Sequence, residues 1–166
     1  MADIERLRKN LEDRGIRSSY FATAQAAADY LDRQIDGTTV GIGGSMTVKA
    51  MGLYPRLSAH NWVVWHWEGG GLEDAAGTEV YLTSANGVAE TGELVNIDGT
   101  CNRIASSVYG HKRVYLVVGV NKIEPDYDRA LWRARNVAAP KNAQRLGRKT
   151  PCAVKADRCY DCKSPE

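Results

Sequence analysis

The chain has 166 residues, enough for one domain with a sizeable core, and 25% of them are charged: 22 Lys and Arg against 20 Asp and Glu, a formal charge of +2. Neither sign dominates, which argues against nucleic acid and against an anionic membrane surface as partners. No run of about eighteen apolar residues is present to span a bilayer, and the opening "MADIERLRKNLEDRG" lacks the apolar stretch of a secretory signal. The expected compartment is the cytoplasm, so the four cysteines are read as thiols or metal ligands before disulfides.

Ile4, Leu7 and Leu11 recur at helical spacing and Gly15 follows them, which predicts an amphipathic helix with a C-terminal stop. "SSYFAT" reads as a short strand. Thr23 then caps a helix through "AQAAADYLDRQI", closed by Gly37. "TTVGIG" reads as a buried strand, because β-branched and apolar residues run together without a polar face. It leads into the glycine loop "GGSMT" and a short helix-like stretch. "NWVVWHW" and "EVYLTSA" are further strands, with "EGGGLEDAAG" a loosely helical link between them. "ELVNID" is extended, "GTCNRIASSVYG" helical up to Gly110, and "RVYLVVGV" the clearest strand. "PDYDRALWRARNVAA" is a helix that Pro140 interrupts, with a second short helix after it. Strands alternating with helices imply crossover connections and a largely parallel sheet. The expectation is a single Rossmann-like α/β domain over residues 1–148, followed by an irregular cysteine-containing tail over residues 149–166.

In open parallel sheets ligands bind beyond the carboxyl ends of the strands. "TTVGIG" is followed there by Gly43, Gly44, Ser45 and Thr47; "EVYL" by Thr83, Ser84 and Asn86; "ELVNI" contains Asn96 and precedes Asp98 and Gly99; "RVYLVVGV" precedes Asn121 and Lys122. Four strand ends thus carry amides, hydroxyls, a carboxylate and an amine. Glycines let backbone N–H groups approach an anion closely, and Ser45 and Thr47 add hydroxyls. The loop is neither a P-loop, for want of Gly-Lys-Ser/Thr, nor GxGxxG. Combined with the other strand ends, it is expected to meet a small anionic metabolite.

Asp98 precedes Gly99, so it is either half of a turn pair or a general base. Glu90 and Glu93 flank a "TG" turn and read as solvated charges, one of which can reach the site; Lys122 is an exposed lysine or a site cation. Asp98, Glu90 and Lys122 are the candidate catalytic groups. His60 and His66 lie among Trp62, Trp65 and Trp67, which suggests aromatic packing rather than metal binding. Cys152, Cys159 and Cys162 put three thiols in the tail, the last two as CxxC, which suits zinc or an iron–sulfur cluster with one outside ligand. Cys101 reads as buried packing within a helix.

The stretches "LTSANGVAETGELVNIDGTCNRIASSVYGHKRVYLVVGVNKI" and "AAPKNAQRLGRKTPCAVKADRCYDCKSP", with "GGSMT", resemble the LUD-domain family of lactate-utilisation proteins over nearly the whole chain. The resemblance implies a NagB/RpiA/CoA-transferase-like fold and a role in oxidising L-lactate to pyruvate with iron–sulfur partner proteins. Cys101 stands where the family has glycine in "DGxGNR", His111 where it has proline, and a fourth tail cysteine is missing. A sheet edge left open by a shortened C-terminus would favour a homo-oligomer. No nicotinamide or flavin fingerprint is present, so redox centres are expected in partners or in the tail. Two other readings stand beside this one: an isomerase or acyl-transfer enzyme on a phosphorylated or CoA-linked metabolite, and a metal-binding electron-transfer adaptor.

Overall fold

A computed structural model of the chain describes residues 2–162. In chain order its elements are Ile4–Asp13 (α1), Ala24–Gln34 (α2), Thr39–Ile42 (β1), Met46–Ala50 (α3), Leu53–Ser58 (α4), Trp62–Trp65 (β2), Leu72–Ala76 (α5), Val80–Thr83 (β3), Gly87–Ala89 (β4), Leu94–Val95 (β5), Asn102–Val108 (α6), Arg113–Leu116 (β6), Ile123–Glu124 (β7), Tyr127–Arg133 (α7), Ala139–Arg145 (α8) and Pro151–Lys155 (α9). The chain is α/β with a mostly parallel central sheet of order β2-β1-β3-β6, every neighbouring pair parallel. No helix among the described residues is long and apolar enough to cross a membrane.

The chain divides into two compact units. One comprises Tyr20–Ser84 and Thr100–Val118; the other comprises Met1–Ser19, Ala85–Gly99 and Gly119–Glu166. The first carries the parallel sheet. Val40 and Ile42 of β1, with Val80 and Leu82 of β3, pack on Ala28 and Leu31 of α2, Val48 of α3, and Leu53 and Leu57 of α4. Leu53 and Leu57 are fully buried, each worth about 1.5–3 kcal/mol of apolar burial. Gly41 faces the other way, where a Cβ would lie 2.3 Å from the Ala75 carbonyl oxygen of α5. Both faces of β1 are thus covered, which is why its sequence is apolar without alternation. As predicted, the Thr23 hydroxyl accepts the Ala26 N–H at 3.1 Å and caps α2.

The second unit is built on a small sheet of order β5-β4-β7, antiparallel on one side and parallel on the other. Ala89 and Val95 pack on Ala130 of α7 and on Ala134. α7 lies so close to β4 that a Cβ on Gly87 would stand 2.6 Å from the Ala130 carbonyl oxygen.

Several local expectations change. "SSYFAT" is not a strand; Phe21 instead packs its ring on Tyr30, with centroids 5.1 Å apart. Pro140 does not end the helical run, because a π-helical turn, Ala134–Ala138, joins α7 to α8. A wider turn accommodates the missing N–H and the ring that a regular helix would reject. The tail is not wholly irregular, since Pro151 opens α9 at a position where a missing N–H costs nothing. Cys101 is exposed rather than buried, and holds the N-cap position of α6 in the left-handed region at φ 60°.

Candidate functional site

The predicted residues fall in both units. In the parallel-sheet unit, β1 ends at Ile42 and the Gly43 N–H donates to the Leu82 carbonyl at 2.9 Å, which keeps Gly43 alongside β3. Gly43 is there because nothing larger fits. A Cβ on it would lie 2.7 Å from the Tyr81 hydroxyl, 2.9 Å from Thr83 Oγ1 and 3.1 Å from Arg103 Cγ. Gly44 has more room, with His66 and Trp67 no nearer than 3.6 Å. Ser45 is buried, and its hydroxyl accepts the Val48 N–H at 3.2 Å as the cap of α3. Thr47 lies within α3, and Ser84 is buried just past β3.

Thr83 reads in the sequence as one more strand-end hydroxyl, yet it is the most telling residue here. It is 1% exposed, and its Oγ1 finds no hydrogen-bond partner among the described residues. A buried hydroxyl ordinarily has one, because an unmade bond costs about 1–3 kcal/mol. Tyr81 and Arg103 were also missed. Tyr81 reads as an ordinary core aromatic, and its ring does stack on His111, with centroids 4.8 Å apart. Arg103 lies far from Gly43 in sequence, and only the fold of α6 brings its stem to the loop.

In the small-sheet unit the two asparagines close a loop. The Asn86 N–H donates to Asn96 Oδ1 at 3.2 Å, and Asn86 Oδ1 accepts the Ile97 N–H at 2.8 Å. Lys122 Nζ donates to the Ala85 carbonyl at 3.1 Å. The next carbonyl, that of Asn86, accepts Arg133 Nη1 at 2.5 Å, while Arg133 Nε donates to the Asn121 carbonyl at 3.1 Å. Two cations therefore converge on consecutive carbonyls. Burial lowers Arg133 from its ordinary value, opposed by Glu124 at 3.7 Å. No sequence signal separates Arg133 from its neighbouring arginines. Asp98 is half-buried and Gly99 exposed, in a stretch without regular structure.

Glu90, a candidate acid or base, is engaged elsewhere in this unit. Its Oε1 accepts the Asp3 N–H at 2.8 Å, its Oε2 faces Arg6 Nη1 at 3.3 Å, and its backbone carbonyl accepts Asn10 Nδ2 at 2.7 Å. It holds α1 in place.

The tail thiols are not gathered. Among the described residues, no group of three or more His, Cys, Asp or Glu stands ready to hold a metal ion. Cys159 Sγ instead accepts from Arg135 Nη2 at 3.8 Å and from the Asp161 N–H at 3.4 Å, and Arg135 also pairs with Asp161. Cys152 Sγ lies 3.2 Å from Thr150 Oγ1. Cys152, Cys159 and Cys162 therefore do not form one ligand group among the described residues.

A mostly parallel α/β sheet, with a glycine turn and buried hydroxyls at its strand ends, places the chain in the Rossmann-like class of folds. The family model of the LUD domain matches residues 4–165, nearly the whole chain, and the chain belongs to that family. Membership places it among proteins related to lactate utilisation. No curated protein and no solved structure matches it.

Proposed function

We propose that the chain is a subunit or accessory of L-lactate oxidation to pyruvate, holding a small carboxylate at the glycine turn of its parallel-sheet unit. The observation that supports this reading is the setting of Gly43, against the Tyr81 hydroxyl, the Thr83 hydroxyl and the stem of Arg103. Hydroxyl donors and a guanidinium suit a carboxylate, and the Thr83 donor has no other partner among the described residues. Lactate gives up two electrons and two protons on becoming pyruvate. The electrons would pass to iron–sulfur partner proteins, and this chain would bind and orient the acid.

Calorimetric titration of L-lactate and pyruvate into the full chain tests the binding step. Binding in the millimolar range or tighter is expected, weakened at least fivefold in Thr83→Val. Absence of heat with either acid, on protein shown to be folded, would overturn the reading. A lactate-dependent dye reduction that needs this chain together with an iron–sulfur protein would establish the subunit role.

A further inference from the structure

We propose that the outer edge of β2 is a docking site for an extended, basic segment of another protein, which adds to the sheet as a further strand. β2 is terminal in the order β2-β1-β3-β6. The Trp62 N–H donates to the Thr38 carbonyl at 3.0 Å, so Trp62 points its backbone groups toward β1. In a parallel ladder alternate residues do the same, which turns Val64 inward and leaves Val63 and Trp65 facing out. The Trp65 carbonyl confirms the phase: it accepts the Gly70 N–H at 2.9 Å from the turn beyond the strand. Val63 therefore presents both its N–H and its C=O at the edge, while Gly70 closes over Trp65, where a Cβ would lie 2.9 Å from the Trp65 nitrogen. That is the template an added strand needs.

The surroundings say what kind of strand. A groove of about 750 Å³ runs along this edge, floored by Trp62, Val63 and Val64 and flanked by Glu68, Glu73 and Asp74. Trp62 is 74% exposed, an unusual cost for the largest apolar side chain. None of the groove's lining residues is Lys or Arg. Among the described residues the ion pairs engage other carboxylates, so these three stay uncompensated. Charge complementarity selects a segment in which Lys or Arg alternates with β-branched residues. A second copy of this chain, paired edge to edge, would set three carboxylates against three more and is disfavoured.

The test uses the full chain and a blocked Lys-Val-Arg-Val-Lys-Val peptide, with a Glu-for-Lys/Arg peptide as control, followed by amide chemical shifts. The basic peptide is expected to move the Val63 amide and the exposed Trp62 indole, with binding weakened roughly tenfold between low and high salt as screening requires. Val63→Pro removes the outward N–H without touching the ladder to β1, and should abolish binding while the fold is kept. Should that variant misfold, the double reversal Glu73→Lys, Asp74→Lys decides instead, with a loss of at least tenfold expected. Equal binding to the reversed protein, equal binding of the acidic peptide, shifts mapping elsewhere, or no binding at millimolar peptide would each overturn the proposal. So would a dimer in sedimentation that Val63→Pro dissociates, since the occupant would then be a second copy.

Discussion

Gly41, Gly43 and Gly44 sit within four positions of one another and meet quite different neighbours, so substituting alanine at each should separate packing from binding. At Gly41 the new Cβ would lie 2.3 Å from a backbone carbonyl of α5, which cannot yield without moving the helix. At Gly43 it meets side chains at 2.7 to 3.1 Å, and at Gly44 only ordinary contacts at 3.6 Å or more. Chemical denaturation should rank them accordingly: Gly41→Ala the most destabilised, Gly43→Ala about 1–3 kcal/mol less stable than the parent, and Gly44→Ala nearly neutral. The carboxylate affinity should fall in Gly43→Ala. Cys101 offers the opposite change. It occupies a left-handed position without burial, where glycine carries no Cβ penalty. Cys101→Gly should therefore raise stability by about 1 kcal/mol, read from the same denaturation curves.

His60 adds a pH dependence at this scale. Asp32 accepts its Nε2 at 3.0 Å and Asp36 its Nδ1 at 2.8 Å. Hydrogen bonding to Asp32, and then to Asp36, raises His60 above the ordinary 6.5, and His60 in turn lowers Asp32 from 3.8. The imidazolium is favoured in the folded chain, so its contribution is full below about pH 6.5 and fades as the pH rises through the folded value. Asp32 contributes above about pH 3.8, and that contribution is lost as the pH falls through its own lowered value. Between those limits both are present. Thermal melts of the parent and His60→Asn should differ more near about pH 5.5 than near about pH 8.5; an equal gap at both would mean that His60 is not charged in this clamp.

Among the elements, α1 depends on a carboxylate belonging to the turn after β4. Glu90 takes the Asp3 N–H and faces Arg6, while Arg14 pairs with Glu93 at 2.6 Å. Glu90→Gln keeps the shape but removes the charge, and should cost about 1–3 kcal/mol. Hydrogen exchange within Ile4–Asp13 should rise first; unchanged protection there would mean that Leu7 and Leu11 hold the helix unaided. β1 and β3 were legible in the sequence because "TTVGIG" and "EVYL" are continuous apolar runs buried on both faces. β5 was legible as part of the extended "ELVNID", but β4 and β7 were not: they span three and two residues, and β4 contains a glycine and an alanine whose only signal is closeness to α7. The same limit applied to the site. A glycine turn after a strand can be read locally, and Gly43 and Gly44 were. That Tyr81, Thr83 and Arg103 converge on it depends on strand register and on where α6 falls, which no local pattern encodes.

For the molecule as a whole, five of the ten largest fully buried side chains among the described residues, Tyr81, Ile42, Leu82, Val40 and Thr83, belong to β1 and β3. Their amides should be the last to exchange, at rates set by global unfolding, with β2 and β5 faster. Faster exchange in β1 than in β2 would contradict this order of burial. The path of the chain has its own consequence, because it changes unit four times, after Ser19, Ser84, Gly99 and Val118. On a ribosome the two units are completed at different moments. The parallel-sheet unit has all of its residues once Val118 has emerged, whereas Val88 and Ala89 wait for Ile123 and Glu124 to arrive. During that interval the earlier unit is already free to close, while β4 is a nascent strand with one side open to whatever chaperone or stray chain is nearby.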